Sequence, residues 1–420
     1  MPESIPELEA LVGKLSADIE LQKDVLKQLE RSKSAAQRQL NATRDPLTCL
    51  PLEISSEIFF QCLPPGPLHP RPGARTPPLL LLNICNSWTD IALYTPALWS
   101  SIYLDFPGVQ VLQSWLERAR NHALTISLTR SLNRNIGAIV ARYAEQLKHL
   151  EIYDDDLKLG SLIAIGSFPC LETLTIGCLP DDEEDLNDFS LAQILGLLKC
   201  LAPNLVECTF HNISTYFDHT TLEVLMLPRL RYLKFGEPTD LRTLDSVEIL
   251  PYLTLPALET LFLPMIGVAN QVLLTFLERS SAPLQKLVLA GNDSTFVELE
   301  DCLRLASSLE SLELYTNRIT VVHDLLAALA NSPTNLLPNI RCLKIQQFPT
   351  LDVPSYPIIL RLLTLRRTQI VSFTLRGSSR KFGKLSQLKP SSEVRDGLRQ
   401  LAAGGMEIYI GSEGQNLMSF

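Results

Sequence analysis

The sequence predicts an α/β chain: a single N-terminal helix, a small three-helix module, and then a solenoid of parallel strands with helices on its convex side. Three observations predict it. An apolar seam at alternating spacings of four and three runs through residues 6–40. A compact run of helical patterns follows, interrupted by a proline-rich stretch and closed by Trp88 and Trp99. From Leu147 onward the short pattern Leu-x-x-Leu-x-Leu returns nine times, at intervals of 24 to 34 residues. The chain accordingly divides into 1–44, 45–106 and 107–420.

Size and composition set the frame. A chain of 420 residues is too long for one simple core, and 46% hydrophobic with 20% charged residues describes an ordinary globular protein. The net charge of −9 argues against a general nucleic-acid binder, which needs a basic surface to neutralise phosphates. From Arg361 to Arg399, ten Lys/Arg and two acids contribute +8 to that total, so the remainder carries −17. The basic segment reads as a solvated end or as a docking surface for an acidic partner. The opening MPESIPELEA lacks the basic-then-apolar order of a secretory signal, and no apolar run approaches the ~20 residues of a membrane span. The nine cysteines form no Cys-x-x-Cys pair. An odd number without a signal reads as reduced, mostly buried thiols in the cytoplasm or nucleus.

The N-terminal seam is Leu8, Val12, Leu15, Ile19, Gln22, Leu26, Leu29, Lys33, Ala36 and Leu40. This is the heptad spacing that keeps every member on one helix face. It suits a coiled coil with a second copy, a homodimer through residues 6–40, and equally a helix folded back on the chain's own body.

In the next stretch, Leu50-Pro51 followed by Glu53 marks a helix start, with proline early in the first turn and an acid near the positive end. Ile54, Ile58, Phe59 and Leu63 then predict a single apolar face on about three turns. Seven prolines and two glycines between Pro64 and Pro78 forbid a helix there. Helical spacing returns over Leu79 to Leu93 with Leu82, Cys85, Trp88 and Ile91, until Pro96 breaks it before Leu98-Trp99.

The nine later segments, from LKHLEIYD (147–154) to IVSFTLRG (370–377), carry the signature of a leucine-rich-repeat solenoid. One repeat cannot bury its own apolar side, whereas a stack makes one continuous core. The second and third Leu-type residues of each point inward, and the residues between them point out. SSIYLDF (100–106) and ALTISL (123–128) are expected to open the same sheet and Met406 to Ile410 to close it. Helices are expected at Leu191–Cys200, Val268–Glu278, Val297–Leu305 and Val321–Leu329. The acidic stretches Asp154–Asp156 and Asp181–Asp185 follow strands and read as solvated loops.

The ordered set LPLEI, IF and L, then C-x-x-W-x-x-IA, then P-x-LW resembles the F-box from Leu50 to Trp99. With a helical seam in front and leucine-rich repeats behind, the chain resembles fungal F-box domain-containing proteins. The F-box is a three-helix module that docks on the Skp-type adaptor of cullin-based ubiquitin ligases. The resemblance implies that Leu50, Pro51, Glu53, Ile54, Ile58, Phe59, Leu63, Cys85, Trp88, Ile91, Leu98 and Trp99 make or support the adaptor contact. The family usually has a short link between its first two helices. Here the Pro64–Pro78 insertion lengthens it, at small entropic cost for a surface loop.

Chemistry of other kinds is absent from the pattern. The six histidines are dispersed, with no HExxH and no zinc spacing. Gly377 to Lys384 imitates a phosphate loop, but its glycines are six apart and Leu385 stands where magnesium would need Ser or Thr. No nucleophile elbow or dinucleotide fingerprint is present. The sequence therefore predicts a non-catalytic chain without cofactor or metal, partnered by an adaptor, through it a cullin, and a protein substrate. On the concave face, Tyr153, His211, Tyr232, Phe262 and Tyr315 are the candidate substrate contacts. The alternative is a leucine-rich scaffold whose helical module merely caps the repeats.

Overall fold

The computed structural model describes residues 5–63, 73, 75–106, 108–129, 134–153, 167–178, 188–201, 204–216, 222–236, 247–264, 270–291, 296–316, 318–331, 336–347, 356–377, 390–412 and 415–416. Most of the Pro64–Pro78 insertion, the acidic stretches Asp154–Asp156 and Asp181–Asp185, and residues 378–389 of the basic segment lie outside them. The chain forms two compact units. The first runs to Leu104 and adds Gly108–Thr125, and the second takes Asp105–Pro107 and Ile126 onward.

In the first unit, helix α1 spans Ile5–Thr43. Its seam residues, including Leu8, Val12, Leu15, Ile19, Leu26 and Leu29, are all exposed. Among the described residues its last turns are held, with Arg38 donating to Leu82 O at 2.8 Å and Asn41 to Ile84 O at 2.9 Å. Helix α2 (Leu52–Gln61) and helix α3 (Asn86–Leu93) follow. The continuous helix expected over Leu79 to Leu93 is broken, with a 3-10 turn at Leu81–Asn83 and extended backbone at Cys85. Side chains explain the break. Arg38 and Thr89 occupy the Leu82 carbonyl and Asn41 that of Ile84, so those acceptors are taken from any continuing helix. A 3-10 turn, Pro96–Trp99, leads to the strand Ser101–Leu104, and helix α4 (Val109–Ala119) completes the unit. The indoles of Trp99 and Trp115 meet edge to face at 5.1 Å, and each donates its Nε1–H to a backbone carbonyl, Ala92 O and Ser101 O respectively. No pattern in the sequence marked α4.

The second unit is a leucine-rich-repeat solenoid. All nine expected strands are present, from Leu147–Tyr153 to Ser372–Gly377, and a further strand, Glu407–Ser412, pairs beyond them. Neighbours in this series pair in parallel and in sequence order, apart from short side strands. One backbone ladder runs along the start of the strands. Glu172 donates to Lys148 O, Val206 to Glu172 O, Arg231 to Val206 O, and so on to Glu407 and Val371 O, every bond at 2.8 or 2.9 Å. This ladder also carries ion pairs between adjacent strands, Lys148–Glu172, Arg231–Glu259 and Glu310–Arg341, at 2.9 to 3.7 Å. They are exposed and worth a few tenths of a kcal/mol each. The inward leucines, such as Leu312 and Leu314 or Leu343 and Ile345, are buried. Helices were expected near Leu191–Leu201, Asn270–Ser280, Phe296–Leu305 and Ile319–Asn331 and are found there. Those at Tyr356–Leu365 and Ser392–Ala403 were not foreseen.

Two readings need correction. The thiols are not mostly buried: Cys49, Cys62, Cys170 and Cys342 are exposed, and Cys85, Cys178, Cys208 and Cys302 are buried. The exposed Cys170 and Cys342 sit at the starts of repeats, outside the inward Leu positions. Burial pushes the Cys302 thiol up to about 11 and the Cys208 thiol higher still. The basic segment is also not uniformly solvated. Arg366 is fully buried and donates to three carbonyls, Leu329 O at 3.1 Å, Leu337 O at 2.9 Å and Leu336 O at 2.8 Å. Half-buried Arg279 does the same three repeats earlier, to Leu250 O and Leu253 O. Each arginine lies at the end of a helix and reaches back to the preceding repeat. Replacing Arg366 with Met leaves three carbonyls without their donor, and unfolding free energy from urea titration should fall by about 3 kcal/mol. Arg361→Met, on the exposed side of the same helix, should change it by less than about 0.5 kcal/mol.

Candidate functional site

Helix α2 does not present its apolar residues on one face, as the spacing suggested. Phe59 and Ser55 are buried, whereas Leu50, Leu52, Ile54, Ile58 and Phe60 are exposed, Ile54 to 50%. Pro51 and Glu53 are exposed too, and Leu63 is half-buried. The helix is therefore apolar on both sides. A spacing of four joins Ser55 to Phe59 inward and, equally, Ile54 to Ile58 outward.

The inward side holds the unit together. Phe59 meets the half-buried Trp88 ring at a centroid distance of 5.0 Å. Cys85, Leu98 and Trp99 are buried and Ile91 is half-buried, so these predicted site residues form the core beneath the exposed patch. The Ser56 and Thr95 hydroxyls lie 2.8 Å apart. Thr95 donates to Ile91 O at 2.7 Å, so Ser56 donates to Thr95, joining α2 to the end of α3.

Asp45, which the sequence patterns did not single out, is the polar centre of this core. Its carboxylate accepts from Ser87 Oγ at 2.6 Å, Trp88 Nε1 at 2.9 Å and the Leu47 amide at 3.0 Å, with Cys85 Sγ at 3.8 Å. The signal was available: Asp followed by Pro is a strong N-cap pair, and Asp45 caps the 3-10 turn Pro46–Cys49. Desolvation pushes its pKa upward, but the hydrogen bonds from Ser87, Trp88, Leu47 and Cys85 together outweigh it and hold the carboxyl below its ordinary value.

The second candidate surface is the open face of the repeat sheet, opposite the buried leucines. Strand register aligns Lys234, Phe262, Val288, Glu313, Lys344, Thr374 and Tyr409 in one row across it. Of the predicted contacts, Tyr153, His211, Tyr232 and Phe262 are half-buried. Tyr153 and His211 stack at 6.1 Å over Gly177, where a Cβ would come within 2.9 Å of both side chains. Tyr315 is not an exposed anchor. It is only 5% accessible and forms an apolar cluster with Val288, Ala290 and Phe262. Val288 and Ala290 are outward residues that also end up buried, because these larger neighbours stand over them. Among the described residues no cluster of His, Cys, Asp or Glu suits a metal ion, and no helix is long and apolar enough to cross a membrane.

The Asp45 arrangement has a pH signature. Ionised Asp45 is favoured by the folded unit, so its stabilisation is complete above the ordinary aspartate value of ~3.9 and is lost as pH falls through the lower folded value. Asp45→Asn should be less stable than wild type at pH 7. The gap should narrow progressively below about pH 4 in denaturant titrations followed by circular dichroism.

No protein-family model matches the chain, and no curated protein matches it. Among solved structures, the crystal structure of the Rad7 and Elc1 complex in yeast is similar at 13% identity, with a TM-score of 0.35, covering 90% of this chain and 96% of that chain. A likeness at that level carries no functional inference.

Proposed function

We propose that this chain is the substrate-recognition subunit of a Skp/cullin/F-box-type ubiquitin ligase. The observation that supports it most is the split of α2. Leu52, Ile54, Ile58 and Phe60 stay exposed on a helix that Phe59 already anchors to its own core, with Leu50 exposed just ahead of it. A folded unit has no internal use for so many exposed apolar side chains on one short helix, and exposed apolar surface of this kind marks interaction sites. The resemblance from Leu50 to Trp99 names the occupant, a Skp-type adaptor. Leu50, Pro51, Ile54 and Ile58 make the contact, while Phe59, Cys85, Trp88, Leu98 and Trp99 hold them in place. The adaptor brings the cullin, the repeat sheet brings the protein substrate, and the other subunits do the chemistry.

Asp replacements at Ile54 and Ile58 test this, because both side chains are solvent-facing and the fold should persist. Capture of a purified Skp-type adaptor should fall at least tenfold, a loss of about 1.4 kcal/mol or more, with the thermal midpoint unchanged. Capture by the double variant at the wild-type level, or none by wild type, would leave only the scaffold reading standing.

The exposed seam of α1 supports a second copy of the chain as a further partner, paired through residues 6–40. The expected result is a concentration-dependent dimer in sedimentation velocity that becomes a monomer in Leu15→Asp/Leu26→Asp. A wild-type monomer at every concentration would exclude the pairing.

A further inference from the structure

The open strand face is electrically divided in a way that the overall charge conceals. On the strands Leu147–Tyr153, Thr173–Gly177 and Glu207–His211, the outward residues include Glu151 and Glu207, and the one Lys, Lys148 at the strand start, is paired with Glu172 at 2.9 Å. From Tyr232 onward the outward residues include Lys234, Lys286, Lys344 and Arg376, against Glu313 and Glu407. The four cations lie in a chain whose net charge is −9.

Their geometry keeps the positive charge outermost. Glu313 lies beneath two lysines, with Lys286 Nζ at 2.7 Å and Lys344 Nζ at 2.8 Å. Its side chain is 14% accessible, while those of the lysines are 43% and 34%. One carboxylate thus fixes two ammonium groups and neutralises only one, and an approaching partner meets the lysines first. Lys344 also donates to Tyr315 Oη at 3.0 Å. On either side, a cation stands over a ring: Lys234 Nζ is 5.5 Å from the centroid of Phe262, and the Arg376 guanidinium is 5.0 Å from that of Tyr409. The rings and the apolar cluster of Val288, Ala290 and Tyr315 provide a dry floor between the charges.

We propose that the face from Tyr232 to Tyr409 binds an extended acidic segment of a partner protein, running across the strands. The proposal rests on the function above and deepens it by naming the chemical class of its substrate. Length fits: the register takes six steps from one end strand to the other. At ~4.8 Å per step that makes a track of about 29 Å, enough for about nine extended residues. Carboxylates would meet Lys234, Lys286, Lys344 and Arg376, while apolar side chains between them rest on Phe262 and Tyr409. A nucleic acid fits less well. It would need to approach an acidic chain and would gain only these few cations, set against Glu313 and Glu407.

The test uses the full chain with a fluorescein-labelled decapeptide of alternating Glu and Leu, read by anisotropy. Deca-lysine and a ten-nucleotide oligothymidylate serve as comparators. The acidic peptide should bind, weaken as salt rises from about 50 to about 300 mM, and lose at least tenfold in affinity in Lys234→Glu/Arg376→Glu. Both changes are at surface side chains, and unchanged circular dichroism and adaptor capture check that the variant is folded. The Ile54→Asp/Ile58→Asp variant should bind the peptide as wild type does. Absence of acidic-peptide binding, equal binding by the reversed variant, or tighter binding of oligothymidylate would each overturn the proposal. Loss of the peptide arm with adaptor capture intact would refute this inference alone. Peptide binding without adaptor capture would refute only the ligase reading.

Discussion

Parallel pairing between consecutive repeats is the constraint from which the rest of the second unit follows. A strand such as Lys286–Ala290 has leucines on one side and no partner of its own to cover them. It becomes stable only when the strands Thr260–Pro264 and Ser311–Thr316 flank it. The backbone ladder fixes the register, and with it which residues face the core. Once the register is set, the outward rows are set as well. The position of Glu313 between Lys286 and Lys344 is then a consequence of pairing, with no loop or hinge needed to assemble it.

Much of this was legible because leucine spacing and strand geometry obey the same period. The inward residues are the repeat motif itself, so all nine strands could be placed from their sequence. The head was legible for a related reason: its tryptophans and prolines occur in a fixed order. What escaped reading was set by tertiary neighbours. The burial of Tyr315 depends on Val288 and Ala290 being small and on Phe262 being large, two strands away. The break before α3 depends on Arg38 and Asn41, more than forty residues earlier in the chain. A helical wheel cannot show that Ile54 faces solvent while Phe59 faces Trp88, since both positions are apolar.

The first unit shows how a small core can leave apolar residues of its own helix exposed without being consumed by them. Its stability rests on a few convergent contacts: Phe59 with Trp88, Trp99 with Trp115, and Asp45 with donors from two segments. These contacts lie on the inward side, so the outward residues of α2 are not needed to hold the core. Separation of this kind lets affinity and folding be altered independently, except at Asp45. There a single carboxylate orders the turn Pro46–Cys49 and the indole of Trp88 at once.

Arg279 and Arg366 tie adjacent repeats together by donating to main-chain oxygens. Every residue type supplies the same carbonyl, so these bonds call for no matching side chain in the preceding repeat. The link is therefore indifferent to the composition of the loop it grips and depends only on the path of that loop. Over evolutionary time the surface of one repeat can drift while its attachment to the next persists. A solenoid built this way can change the surface of one repeat at a time without renegotiating the joints.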